Sequence, residues 1–226
     1  SRTDRMIEKA NEYNKKIARL EAPFVDYDKV AGYDSTLNIS GTGVMGYISS
    51  PVIQVELPIY HGTSEEVLNI AAGHLEGSSL PVGGANTHSV ISAHRGLPSA
   101  RLFTDLDKIE KGDVFTVNIL DRIYTYEVEE ILIVEPHEIN TLSIIPNSDY
   151  VTLMTCTPYG INSHRLLVRG TRVDLGNGSG WENIDVGSDA KEISTTLLTF
   201  VSLAVIIVVV FIVLLIRSRR ISRKEE

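Results

Sequence analysis

Between Gly43 and Leu175 the sequence is cut into short runs rich in β-branched and aromatic residues, most of them closed by Gly, Pro, Asn or Asp, and that density of breaks rules out most folds. Strands are expected from Val44 to Ser49, Ile53 to Ile59, His88 to Ala93, Val114 to Leu120, Ile123 to Val134, Tyr150 to Cys156 and Arg165 to Leu175. Only Ser64 to Ala72 and Ala100 to Leu106 suggest short helical pieces. Seven or eight strands within about 135 residues predict a mainly β domain over 41–175, a small barrel or a sandwich.

The flanks are of a different kind. Met6, Ala10, Tyr13, Ile17 and Leu20 recur at helical spacing among charged residues, so 1–21 is expected to hold an amphipathic helix, which Pro23 ends. Residues 22–40 read as a loop carrying Phe24, Tyr27 and Tyr33 with Asp26, Asp28 and Asp34; a structureless loop of that length is usually functional, and its aromatics need something to cover. At the other end, Gly176-Asn177-Gly178-Ser179-Gly180 opens a linker over 176–196. Leu197 to Ile216 is then a run of 20 residues interrupted only by Thr199 and Ser202. As a helix it would be about 30 Å long, enough to cross a bilayer. The tail 217–226 has a net charge of +3 against −11 for everything before it, which together make the −8 of the chain. That asymmetry predicts a single-pass anchor with a cytoplasmic C-terminus and an extracellular domain, which implies a leading signal or anchor ahead of Ser1. The acidic balance argues against nucleic acid as a partner.

Of the chemistry-bearing residues, the only cysteine is the most constrained. Cys156 cannot form an internal disulfide, and a lone cysteine is most often a small buried hydrophobe. Here Val151, Leu153 and Thr155 alternate with Thr152, Met154 and Cys156, so the thiol ends a half-buried strand, just before the break at Thr157-Pro158-Tyr159-Gly160. A hairpin-like return brings Arg165 beside it, a permanent cation near a potential thiolate. His94 likewise follows the strand that ends at Ala93, whereas His61, His74, His88, His137 and His164 lack such placement with a plausible partner. A thiol, an imidazole and a guanidinium together suit acyl transfer: nucleophile, acid–base group and oxyanion donor. One cysteine among scattered histidines does not suit zinc, and the glycine pairs do not form a phosphate loop, so no metal or cofactor is expected.

These motifs resemble those of the sortases, in particular the pilin-polymerising class C. Thr152-Leu153-Met154-Thr155-Cys156 is similar to the family's T-L-x-T-C signature, with Arg165 and His94 at the places of its arginine and histidine. Leu57-Pro58-Ile59-Tyr60-His61-Gly62, Gly73-His74-Leu75 and the stretch from Thr155 to Leu166 are also similar to class C sequences. The resemblance implies an eight-stranded barrel and a transpeptidase that cuts an LPXTG-like signal between Thr and Gly. It further implies a thioester on Cys156 that passes to a pilin lysine, with pilin subunits and the membrane as partners. Class C enzymes carry a lid with Asp-Pro-aromatic; this chain has Ala22-Pro23-Phe24. The expectation is that Phe24 or Tyr27 covers Cys156, with Glu21 or Asp26 replacing the missing acid. Two other readings stand beside it: a housekeeping sortase that attaches proteins to peptidoglycan amines, and a non-catalytic β-barrel ectodomain that binds a ligand.

Overall fold

The computed structural model describes residues 1–97 and 100–173. The expected linker, membrane helix and basic tail lie outside the described residues, among which no helix is long and apolar enough to cross a membrane.

Helix α1 (Arg2–Ile17) starts with a capping box: the Ser1 hydroxyl accepts the Asp4 N–H, and the Asp4 carboxylate reaches back to Ser1. It buries Ile7, Ala10, Tyr13, Asn14 and Ile17. Asn14 is the polar member of that stripe, and its amide is used twice. It donates to the Leu80 carbonyl at 3.0 Å and accepts from the Leu80 N–H at 2.7 Å, as a neighbouring strand would.

Eight strands follow: β1 (Val44–Ser50), β2 (Val55–His61), β3 (Ala72–His74), β4 (Thr87–Ser92), β5 (Val114–Ile119), β6 (Arg122–Val134), β7 (Asp149–Thr157) and β8 (His164–Arg172). They close into a barrel in the order β1-β2-β3-β4-β7-β8-β6-β5, with β5 returning to β1. The pairs β2–β3 and β4–β7 are parallel and the others antiparallel. Period-2 alternation sends Ile91, Leu153, Leu166 and Val168 to the interior. It sends Val90, Met154 and Leu167 to the opposite face, where they form a second apolar cluster with Leu75, Leu132, Val134, Leu142 and Phe24.

Two expectations are revised. The segment expected to be helical from Ser64 to Ala72 shrinks to α3 (Glu65–Leu68), capped by the Ser64 hydroxyl, because Ala72 begins β3. From Ala100 to Leu106 there is no α-helix. Arg101 and Lys108 both pair with the Asp105 carboxylate, and the chain makes a 3₁₀ turn at Leu106–Lys108.

The second half of 22–40 belongs to the barrel rather than to a loop above it. Val30, Tyr33 and Leu37 are buried in the main core. The Tyr33 hydroxyl accepts from the Gly62 N–H at 2.9 Å and donates to His74 Nδ1 at 2.8 Å. Because the Ser79 carbonyl can only accept, His74 Nε2 carries the proton, at 2.8 Å. His88 is built the same way: Nδ1–H donates to the Ser143 carbonyl at 2.9 Å, and Nε2 accepts from the Thr152 hydroxyl at 2.7 Å.

Burial pushes both imidazoles down from the ordinary 6.5 to about 4, so the fold holds them neutral. Well above pH 6.5 neither ring charges in either state. As pH falls from there toward 4, the unfolded chain takes up protons that the native chain refuses. Stability should therefore drop, by up to roughly 3 kcal/mol per histidine at 1.36 kcal/mol per pH unit. Urea midpoints measured between pH 7 and 4 should fall steadily, less steeply in His88→Asn; a flat profile in the native chain would contradict this account.

Candidate active site

The register of three strands assembles the site. In the parallel pair β4–β7, Ser92 lies level with Met154. Past the end of that ladder the Ala93 N–H donates to the Met154 carbonyl at 3.1 Å, and the Thr155 hydroxyl donates to the Ala93 carbonyl at 2.8 Å. Continued past its last pair, that register would set His94, two residues beyond β4, level with Cys156. On the other side, the antiparallel pair β7–β8 sets Cys156 directly opposite Arg165. Residues level on adjacent strands share a face and stand about 5 Å apart at the backbone. Cys156 and Arg165 thus form one row across β7 and β8, which the β4–β7 register, carried past the end of β4, extends to His94 on the other side of the thiol.

All three are partly exposed, so the row is accessible at the barrel rim. The Arg165 guanidinium donates to the carbonyls of Asn162 at 3.3 Å and His164 at 3.1 Å. Among the described residues no carboxylate forms an ion pair with it, which leaves donors available to an anion arriving beside Cys156. Among the described residues there is also no group of His, Cys, Asp or Glu placed to hold a metal ion.

The segment ahead of the barrel approaches the same face. Helix α2 (Pro23–Asp26) places Phe24 on the outer apolar cluster with Met154, two residues before Cys156 and on its side of β7. Its backbone is wedged against Gly77: a Cβ there would stand 2.5 Å from the Pro23 carbonyl oxygen and 2.9 Å from the Phe24 Cα. On the opposite side a cavity of about 190 Å³ separates residues Glu21 to Val25 from Ile139, Asn140 and Ser143. Tyr27 packs against the main core instead of joining Phe24. Asp26 does not replace the missing anchor, because its carboxylate pairs with Lys29 at 2.9 Å. Glu21 lines the small cavity and forms no ion pair among the described residues. Phe24 and its apolar contacts are therefore what holds this segment down.

A larger groove of about 670 Å³ lies between α1 and residues 83–87, lined by Lys15 and Arg19 among others. It opens at the start of β4, about 23 Å of strand from His94, and plays no part in the row.

Two residues with long-range partners escape a reading of the sequence. His88 ties β7 to the turn that ends at Ser143, and Arg95 reaches the far side of Cys156 through Thr157. Their partners lie more than 50 residues away in the chain, with no local signal to reveal them.

A thiol opposite a guanidinium and beside the turn that bears a histidine, at the rim of a closed barrel, suits thiol-based acyl transfer. Comparison with known proteins gives the family. The Sortase domain matches residues 48–173. Sortase C1 from Streptococcus agalactiae is 52% identical, with 76% of this chain and 90% of that chain covered and a TM-score of 0.69. The Group B Streptococcus Pilus Island 1 sortase C2 is 48% identical, covering 76% and 97%, with a TM-score of 0.68. Clostridium perfringens sortase C, solved with a C-terminal cell wall sorting motif, is 48% identical over 77% and 90%, with a TM-score of 0.66. Among curated proteins the chain spans about half the length of its first match, the sortase A of Streptococcus agalactiae, of which 47% is covered at 32% identity. The chain belongs to the sortase family of cysteine transpeptidases, and these three structural neighbours are its class C members.

Proposed function

We propose that the chain is a membrane-anchored pilin-polymerising transpeptidase that uses Cys156, His94 and Arg165 on an LPXTG-like sorting signal. The observation that carries this is the strand order β4-β7-β8, which sets Arg165 opposite Cys156 on one side of β7 and brings the turn bearing His94 to the same end of β7 on the other. The Cys156 sulfur attacks the threonyl carbonyl and forms the C–S bond. Arg165, with a backbone N–H, faces the oxyanion that develops. The Thr–Gly C–N bond then breaks, and His94 gives the departing amine its proton. In the second half a pilin lysine amine attacks the thioester, yields a proton to His94, and leaves an isopeptide bond with the thiol regenerated. The outer apolar face under Phe24 suits the apolar residue of the signal, and it runs along β7 straight to Cys156.

Support for the pilin acceptor comes from the class C neighbours, one of them a pilus-island enzyme and one solved with a sorting motif. The expected run over 197–216 would tether the enzyme where such signals emerge. The test is incubation of the chain with an LPXTG-type peptide and a purified pilin, followed by mass spectrometry, alongside Cys156→Ala. Pilin–pilin isopeptide adducts that vanish in the variant are expected. Cleavage without a pilin adduct would move the acceptor to another amine, such as that of peptidoglycan, and no cleavage would restore the ligand-binding reading.

The flap makes a separate prediction. Phe24→Ala removes part of a burial worth about 1.5–3 kcal/mol for a whole phenylalanine, so opening should become roughly tenfold easier. Gly77→Ala should act likewise, because its methyl group collides with the Pro23 backbone and its φ of +88° disfavours any side chain. Both variants should raise the rate at which a bulky thiol reagent modifies Cys156. Rates equal to the native chain's in both would show that the segment does not guard the thiol.

A further inference from the structure

The ladder between β4 and β7 ends before the two groups that must exchange protons. Its last strand pair is Ser92 with Met154, and the last backbone and hydroxyl bonds between them involve Ala93. The turn that starts at His94 is otherwise held by the segment behind it: the Phe103 N–H donates to the His94 carbonyl at 3.1 Å, and the Gly96 N–H to the Thr104 hydroxyl at 3.1 Å. Neither contact fixes the distance from imidazole to thiol.

Arg95 supplies what is missing. Its side chain is 7% exposed, and its guanidinium meets the Asp107 carboxylate at 2.6 Å. That anchor lies on the 103–107 segment. The other terminal nitrogen, Nη1, donates to the Thr157 hydroxyl at 3.3 Å, on the residue directly after Cys156. The Tyr159 ring centroid is 5.9 Å from the same guanidinium, and the ring lies so close over Gly96 that a Cβ there would stand 2.8 Å from it. Among the described residues, the Arg95–Thr157 contact is the only hydrogen bond between the His94–Leu97 turn and β7 beyond Thr155.

We infer that Arg95 is a positioning residue for the acyl-transfer reaction proposed above, clamping the turn that bears His94 to the strand end that bears Cys156. It rests on that reading for its kinetic consequences, though not for its geometry. Proton transfer between imidazole, thiol and leaving amine depends steeply on separation, and a misplacement of about 1 Å can cost about 10²-fold in rate. Planarity matters as much as charge, because one guanidinium must reach Asp107 and Thr157 in different directions, which an ammonium does poorly.

The test uses the full chain with an LPXTG-type peptide and three variants: Thr157→Val, Arg95→Lys and Arg95→Ala. Thr157→Val removes only the hydroxyl and should lower kcat about tenfold with KM little changed. Arg95→Ala should lower kcat about 10²-fold, with Arg95→Lys in between. A second readout needs no substrate: carboxamidomethylation of Cys156 should shift the His94 ring resonances in the native chain and much less in Arg95→Ala. If kcat is unchanged in Thr157→Val, or if the losses merely track melting temperature across the three variants, Arg95 is structural and the inference fails. If the native chain cleaves no peptide, the functional reading fails instead, and the resonance experiment alone decides the clamp: equal shifts in both forms overturn it.

Discussion

His94→Ala is expected to lower the kcat for peptide cleavage by about 10²- to 10⁴-fold while leaving the fold intact. The size follows from the imidazole's two duties, relieving the attacking thiol of its proton and protonating the amine that leaves. A peptide amine is a poor leaving group unless protonated, so the loss should fall on the chemical step and KM should move little. The fold should survive because His94 lies beyond the last β4–β7 strand pair and is partly exposed. Single-turnover rates, together with the melting temperature, check this. A loss confined to KM would mean that His94 binds substrate and that the proton is moved by another group.

Arg165→Ala is expected to cost about 10²- to 10³-fold in kcat, the range seen when one donor to a tetrahedral oxyanion is removed. The guanidinium stands opposite Cys156 in the β7–β8 ladder, and its only described partners are two nearby carbonyls. Among the described residues it carries no ion pair whose loss would unfold the rim. Arg165→Lys separates charge from shape: a lysine keeps the cation but not the planar set of donors, and should recover only part of the rate. Full recovery by lysine would reduce the role of Arg165 to a diffuse positive charge. The same pair of variants compared on thioester formation and on its aminolysis should slow both steps, since each passes through an oxyanion.

Much of this site is legible in the sequence because each of its three residues stands at or beside a strand end marked by a break. The period-2 alternation ending at Cys156, the break at Pro158 and Gly160, and the run that ends at Ala93 are local signals. What was not legible is long-range. That β4 and β7 are parallel neighbours is decided by pairing residues some 60 positions apart, and only that pairing brings the turn bearing His94 to the strand end bearing Cys156. Strand β3 has three residues, Ala72, Gly73 and His74, too few and too small to show a period. The half-buried look of β7 had a second cause: its outer face is covered by an apolar cluster that includes Phe24, so both faces are dry over much of its length. Asn14 was hidden for the opposite reason, a polar residue within the buried stripe of a helix.

The flap shows how a local departure is absorbed. With Ala22 where class C lids carry an acid, and with Asp26 engaged by Lys29, the closing force rests on apolar contact rather than on an ion pair with Arg165. Among the described residues no carboxylate pairs with Arg165. On the proposed reading, in which this segment guards the thiol, opening should respond most to changes at residues 22–25 and at Gly77.

The most direct test of the central claim is the intact mass of the chain after brief incubation with an LPXTG-type peptide in the absence of any acceptor amine. The account predicts a covalent adduct equal to the peptide up to and including its threonine. It should map to Cys156, be released by hydroxylamine and be absent in Cys156→Ala. A cleaved peptide with no adduct on Cys156, or an adduct that persists in the alanine variant, would contradict it.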